Sequence, residues 1–150
     1  MPCLGVDRVA QFAFNATTGQ LTANAVPALA TAAGAGPRHL DFRPGGGFAY
    51  LINEKNETMT ALSYDAAQGR LTALQTLPAL PAGAATAGTS GAEVLVHPSG
   101  KFVYGSNRGN NTIVGFAIDA GTGMMTLLGH TPTGGNTPRS FAIDPSGNLM

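Results

Sequence analysis

Charged and amide side chains recur in this sequence next to short apolar runs. Some stand just before such a run and others directly after one, and a second set follows the first at a distance of 54 positions. In chain order they are Arg38, His39, Asn53, Glu54, Glu93, Asn107, Arg108 and Arg139. Arginine binds carboxylates and phosphates through paired hydrogen bonds, while glutamate and histidine can accept and donate protons. These residue types therefore favour acid–base chemistry on a small anion.

The residues around the first set predict a β-hairpin that brings its charges together. Two largely apolar arms flank a glycine cluster, which is typical of a tight turn between antiparallel strands. Folding about Gly46 puts Phe42 opposite Tyr50 and Arg38 opposite Glu54. The charged groups are then expected at the open end of the hairpin.

The same pattern recurs along the chain and predicts the architecture. Turn prolines and turn glycines return at intervals of about 50 residues, at Pro44, Pro98 and Pro145 and at Gly19, Gly69 and Gly123. Four-stranded units with such a period are the blades of β-propellers. We therefore expect an all-β chain that forms part of a propeller. We expect the outer part of one blade over 1–33, two complete blades over 36–80 and 91–134, and the inner strand of the next blade over 137–150.

The blade geometry predicts where the charged residues meet. The first strand of a blade is innermost and the second runs antiparallel to it, so the start of one and the end of the other lie at the same rim of the channel. Arg38, His39, Asn53 and Glu54 are expected there. Their counterparts on the following blades are Glu93, Asn107, Arg108 and Arg139.

These motifs together resemble a known family, the lactonases built as seven-bladed propellers. They are Gly36-Pro37-Arg38-His39, Asn53-Glu54, Glu93, His97-Pro98-Ser99-Gly100, Ser106-Asn107-Arg108 and Thr137-Pro138-Arg139. The resemblance implies a lactone hydrolase, foremost a 6-phosphogluconolactonase of the pentose phosphate pathway, that acts on a small anionic sugar lactone. It implies a site of Arg38, Glu54 and Arg108, with His39 and Arg139 nearby. The chain length predicts less than half of such a propeller. A histidine that the muconate-type members take from the preceding blade falls outside this sequence, so activity is expected of the full-length parent and is left open for these residues alone.

We assign the expected roles from the chemistry of lactone hydrolysis, which needs an activated water and donors for the oxyanion. Glu54 is the candidate general base, with Arg38 or His39 stabilising the oxyanion. The remaining rim residues are candidates for substrate binding, namely Arg108, Arg139, Asn53, Asn107 and Glu93. A plainer interpretation is that Arg38–Glu54 and Glu93–Arg108 are structural ion pairs. Two rival functions are a carboxy-muconate-type lactonising enzyme and a non-catalytic propeller that binds a ligand or a protein.

Composition excludes several other classes. The eight basic and eight acidic side chains cancel and form no runs, so neither nucleic-acid binding nor membrane docking is expected. The single Cys3 cannot form an internal disulfide framework, which favours a reducing, cytoplasmic location. No spacing resembles a metal site, and no cofactor is expected. Open blade edges predict marginal stability or self-association.

Overall fold

A computed structural model describes all 150 residues and consists of β-strands joined by turns. The strands are β1 (Pro2–Cys3), β2 (Arg8–Phe14), β3 (Leu21–Ala30), β4 (Pro37–Phe42), β5 (Phe48–Asn53), β6 (Thr58–Asp65), β7 (Arg70–Pro78), β8 (Ser90–Val96), β9 (Phe102–Arg108), β10 (Thr112–Ile118) and β11 (Met125–Pro132). A single 3₁₀ turn, Leu4–Val6, joins the first two. The prediction of an all-β chain is confirmed. Nothing in the structure forms a helix that is long and apolar enough to cross a membrane.

The strands form three antiparallel sheets in which chain neighbours are also hydrogen-bonded neighbours. Strands β1–β3 make the first sheet, β4–β7 the central sheet and β8–β11 the last sheet. The two four-stranded sheets span Pro37–Pro78 and Ser90–Pro132. Such up-and-down connection through tight turns is the arrangement of a propeller blade.

The register of the first hairpin differs from the predicted one. Phe42 pairs with Ala49, so the expected pairing of Phe42 with Tyr50 is wrong by one residue. The amide of Arg43 donates to the carbonyl of Phe48 at 2.9 Å. That bond closes the turn in a different register from the one that folding about Gly46 predicted. A register shift of one residue changes which side chains share a face of the sheet.

A β-bulge lies at the start of both inner strands. In β4 the bulge between Pro37 and His39 takes Arg38 out of the regular pairing with β5, so the predicted backbone pairing of Arg38 with Glu54 is wrong. In β8 the equivalent bulge takes Glu93 out of the pairing with β9. Bulges re-aim side chains and are common beside functional sites.

The central sheet is buried on both faces because strand side chains alternate in direction. Tyr50 and Ile52 of β5 pack with the apolar residues of the last sheet. Ala49 and Leu51 of the same strand pack with Val9 of the first sheet. All four side chains are fully buried. One strand therefore supplies the core of two interfaces.

The end of the chain repeats the turn of the earlier hairpins without forming a strand. The amide of Gly147 donates to the carbonyl of Asp144 at 2.8 Å, as Gly100 does to His97. We predicted the inner strand of another blade over 137–150, and no residue of that range has a strand assignment. A strand needs a hydrogen-bonded neighbour, and these residues have none on either side.

Candidate functional site

The bulged starts of β4 and β8 present charged side chains beside the ends of β5 and β9. Arg38 and His39 come from β4, and Glu93 comes from β8. Glu54 directly follows β5, and Arg108 is the last residue of β9. The structure brings these five side chains together, as the rim hypothesis predicted.

Glu54 is held by two arginines that come from different sheets. Its Oε2 lies 2.8 Å from Nε of Arg38 and 3.1 Å from Nη2 of Arg108. Each of the three side chains is largely but not fully buried, with 26% of Glu54, 11% of Arg38 and 15% of Arg108 exposed. Both bonds go to Oε2, which leaves Oε1 without a protein donor.

Backbone carbonyls of the last sheet fix both guanidinium groups. Nη1 of Arg38 donates to the carbonyl of Ala92 at 2.6 Å. Nη2 of Arg108 donates to the carbonyl of Gly91 at 3.3 Å, and its buried Nε has no hydrogen-bond partner. The protein therefore satisfies only part of each fork, and the terminal nitrogens without a protein partner are Nη2 of Arg38 and Nη1 of Arg108.

A hydrogen bond between a histidine and a second glutamate lies beside this ion pair. Nδ1 of His39 is 2.6 Å from Oε1 of Glu93. The same Oε1 accepts the amide of Val94 at 3.2 Å, and Oε2 of Glu93 accepts the hydroxyl of Ser140 at 3.2 Å. The side chain of His39 is 42% exposed. Glu93 thus holds one nitrogen of a partly exposed imidazole.

Complementary charges occupy equivalent positions of the two sheets. Glu54 and Arg108 are 54 residues apart and form one pair, and His39 and Glu93 are 54 residues apart and form the other. The Glu93–Arg108 ion pair that we considered from the sequence is absent. The Arg38–Glu54 pair is present. Because equivalent residues of adjacent blades meet, opposite charges at one repeat position join the two sheets.

Asn53 and Asn107 lie beneath this cluster. Both are buried. Nδ2 of Asn53 donates to the hydroxyl of Thr58 at 2.9 Å, and Nδ2 of Asn107 donates to the carbonyl of Ala79 at 2.7 Å. The amide of Asn53 thus bonds the first side chain of β6, and that of Asn107 bonds the backbone just after β7. Neither joins the charged cluster, and Asn53 instead lines a pocket between the first and central sheets.

Arg139 stands apart from the other arginines. Its side chain is exposed and makes neither an ion pair nor a hydrogen bond with the chain. Its neighbour Ser140 contacts Glu93, which places Arg139 one residue from the cluster.

Asp7 and Ser106 support the site, and the sequence did not single them out for this purpose. The carboxylate of Asp7 accepts the amides of Gly34 at 2.7 Å and Gly36 at 2.8 Å, which ties the start of β4 to the first sheet. These bonds lower the pKa of Asp7, with the Gly36 amide as the largest cause. The hydroxyl of Ser106 accepts the amide of Glu93 at 3.0 Å. Only the position of Ser106 beside Asn107 hinted at its role.

The pocket between the first and central sheets is not the candidate site. It has a volume of about 110 Å³, with Leu29, Leu51 and Leu62 in its wall. None of the charged rim residues lines it. The rim cluster is instead an open surface feature, as expected where a channel wall continues into further blades.

Stacked antiparallel four-stranded sheets with an arginine–carboxylate cluster on one rim define a β-propeller with a polar channel mouth. A family model described as "Lactonase, 7-bladed beta-propeller" matches residues 1–150. The chain belongs to this family, which confirms both the resemblance and the fold class.

Curated relatives and solved structures agree with this family. The chain is 38% identical over 149 residues to a 6-phosphogluconolactonase of Pectobacterium carotovorum, covering 99% of this chain and 44% of the relative. It is 32% identical to the 6-phosphogluconolactonase of Bacillus subtilis, covering 98% and 41%. It superposes on a periplasmic gluconolactonase of Pseudomonas aeruginosa with a TM-score of 0.88 at 32% identity, covering 97% and 40%. The chain therefore spans less than half the length of these relatives.

Proposed function

We propose that these residues form part of the active rim of a lactone hydrolase whose substrate is an anionic sugar lactone, foremost 6-phosphogluconolactone. The observation that carries this proposal is the carboxylate of Glu54, held between Arg38 and Arg108 with one oxygen left free. The names of the curated relatives support the substrate class.

Hydrolysis begins with a water molecule placed between the carboxylate and the lactone carbonyl. Oε1 of Glu54 accepts a proton from that water, whose oxygen attacks the carbonyl carbon. The oxyanion that forms takes a hydrogen bond from Arg38, whose guanidinium is already fixed by Glu54 and by the carbonyl of Ala92. A donor that is fixed before the reaction needs no reorganisation when the charge develops.

The arginines supply recognition of the anion. Arg108 offers the part of its fork that Glu54 and Gly91 leave free, and the exposed Arg139 offers a whole guanidinium. Glu54 and Glu93 offset two of the three arginine charges at this rim. A phosphate on the substrate carries enough negative charge to offset the third.

Substrate choice and location stay predictions. A solved neighbour from P. aeruginosa is titled a periplasmic gluconolactonase, so a lactone without phosphate is the second candidate substrate. The cytoplasmic location and the pentose phosphate pathway follow only if the phosphorylated lactone is preferred. A muconate-type lactone would use the same arginines on a carboxylate.

A substrate panel tests the proposal in a complete seven-bladed propeller that carries this sequence. We expect turnover of 6-phosphogluconolactone to exceed that of gluconolactone. Arg139→Gln should raise KM for the phosphorylated substrate about tenfold, the equivalent of losing one charge-assisted hydrogen bond, and leave gluconolactone unchanged. Failure to hydrolyse any lactone would overturn the proposal in favour of a ligand-binding propeller.

A further inference from the structure

We propose that His39 donates the proton that the leaving ring oxygen needs, and that Glu93 and Ser140 are positioning residues that hold His39 for this step. The inference rests on the proposed lactone hydrolysis and adds a second catalytic group to it. It divides the acid and base roles between two sides of the rim cluster.

The hydrogen bonds leave only one nitrogen of His39 available. Nδ1 is bound to Oε1 of Glu93 at 2.6 Å, so a carboxylate occupies that side of the ring. Nε2 has no carboxylate or carbonyl partner, and its only polar neighbour is Nη1 of Arg38 at 3.2 Å. A carboxylate on one ring nitrogen orients the imidazole and stabilises its protonated form, and the other nitrogen then carries the mobile proton.

Glu93 is itself fixed from three directions. Its Oε1 accepts the amide of Val94, its Oε2 accepts the hydroxyl of Ser140, and its own amide donates to Ser106. Only 15% of the Glu93 side chain is exposed. A side chain held in this way cannot follow a ligand, which suits a positioning role better than the substrate-binding role expected from the sequence.

The charges around His39 permit its protonated form when an anion is bound. Arg38 lies beside the ring on the same strand, and Glu54 and Arg108 follow behind it. Glu93 faces the ring from β8, and Arg139 precedes Ser140 on the last segment. Two carboxylates balance two of the arginines. A protonated His39 and Arg139 then remain, which is the charge that a phosphate would neutralise.

The step balances with water as the only co-reactant. Water attacks the carbonyl carbon and gives one proton to Oε1 of Glu54, so that a carbon–oxygen bond forms. The tetrahedral intermediate collapses and breaks the bond from the carbonyl carbon to the ring oxygen. That oxygen takes the proton from Nε2 of His39 and becomes the hydroxyl of the open-chain acid. Glu54 and His39 then exchange protons with solvent.

The test is the pH profile of kcat for 6-phosphogluconolactone in a complete seven-bladed propeller that carries this sequence. Because His39 must be protonated, kcat of the unaltered protein should fall on the alkaline side. His39→Gln should lower kcat by about 10²-fold or more and remove that alkaline fall. Glu93→Gln should move the fall to lower pH, because a protonated imidazole loses the carboxylate that faces it.

Two further variants separate positioning from simple support of the fold. Glu93→Asp retains the charge and should restore the alkaline fall to within a few tenths of a unit of its original pH. His97→Gln is the matched control, because His97 is another half-buried histidine whose ring nitrogens bond within the chain, to the hydroxyl of Ser99 and the carbonyl of Gly147, but it lies at the opposite turn. Its pH profile should match that of the unaltered protein. Melting temperatures verify that each variant is folded.

Each result decides the inference. Uniform loss of kcat at every pH in His39→Gln and Glu93→Gln, with the alkaline fall unmoved, would make the pair structural and overturn it. Lactone turnover in the unaltered protein would then leave the proposed function standing. No turnover of any lactone by the unaltered protein would overturn the proposed function and this inference together.

Discussion

The central and last sheets are built from the same repeat and differ in what covers them. Tyr50 of the central sheet is fully buried against the last sheet, and its hydroxyl donates to the carbonyl of Gly123 at 3.0 Å. The equivalent Tyr104 of the last sheet is half-buried and makes no such bond. The repeat encodes strands and turns, but the environment of a side chain depends on its neighbour in the stack.

The charged positions also depend on which sheet lies next to them. A perfect repeat would put the same charge at equivalent positions, which would then repel each other across the two sheets. Here Glu54 meets Arg108, and His39 meets Glu93. Positions at which the two copies of the repeat differ in charge therefore mark the candidate site. Positions at which the two copies agree belong to the scaffold.

The equivalent turn glycines give the largest expected difference in stability. Gly123 has a φ of 73°, and a Cβ there would lie 2.3 Å from Phe48. Gly19 has the same φ and no atom within 4 Å. Gly123→Ala should cost more than about 3 kcal/mol, from strain and overlap together, whereas Gly19→Ala should cost about 1 kcal/mol for the left-handed backbone alone. Urea unfolding of the 150-residue chain measures both, and equal losses would contradict the difference in packing.

The uncovered side of the last sheet should drive self-association. Leu128 of β11 is 58% exposed and lies beside Tyr104 and Ile113. Exposed apolar surface on an open sheet favours association. Leu128→Lys should lower the association constant of the chain about tenfold, and Leu74→Lys, at the equivalent position of β7, should lower it less. Sedimentation velocity measures this, and a monomeric unaltered chain would contradict it.

Substituting the two equivalent tyrosines should give a smaller difference in the free energy of unfolding. Tyr50→Phe leaves the carbonyl of Gly123 without a partner and should cost about 1–2 kcal/mol, whereas Tyr104→Phe should cost less than about 0.5 kcal/mol. Burial raises the pKa of Tyr50 from 10.0 to about 12. The folded state thus favours the neutral phenol, so this contribution is complete below pH 10 and is lost as the pH rises towards 12. Urea unfolding between pH 9 and pH 12 should show this loss in the unaltered chain and not in Tyr50→Phe; the same alkaline loss in both would contradict it.

Local residue patterns were enough to predict the sheets and to gather the rim charges. Glycine turns, proline positions and strand alternation act within one hairpin, and they were enough to predict an all-β, propeller-type chain. Which side chains contact one another could not be predicted in the same way. The bulges that free Arg38 and Glu93 depend on how two strands pair, and the contact of Glu54 with Arg108 depends on how two sheets stack. Burial of Asn53 likewise follows from packing, since its polarity alone favoured an exposed rim position.

The most direct measurement of the central claim is kcat/KM of Glu54→Gln on 6-phosphogluconolactone in a complete seven-bladed propeller. The matched control is Asp41→Asn, because Asp41 also joins these two sheets, through the amide of Val96 at 2.7 Å, without contacting an arginine. We predict that Glu54→Gln loses about 10²–10⁴-fold of kcat/KM while Asp41→Asn keeps most of it. Unchanged turnover in a folded Glu54→Gln protein would contradict the account and leave Glu54 as a structural partner of the two arginines.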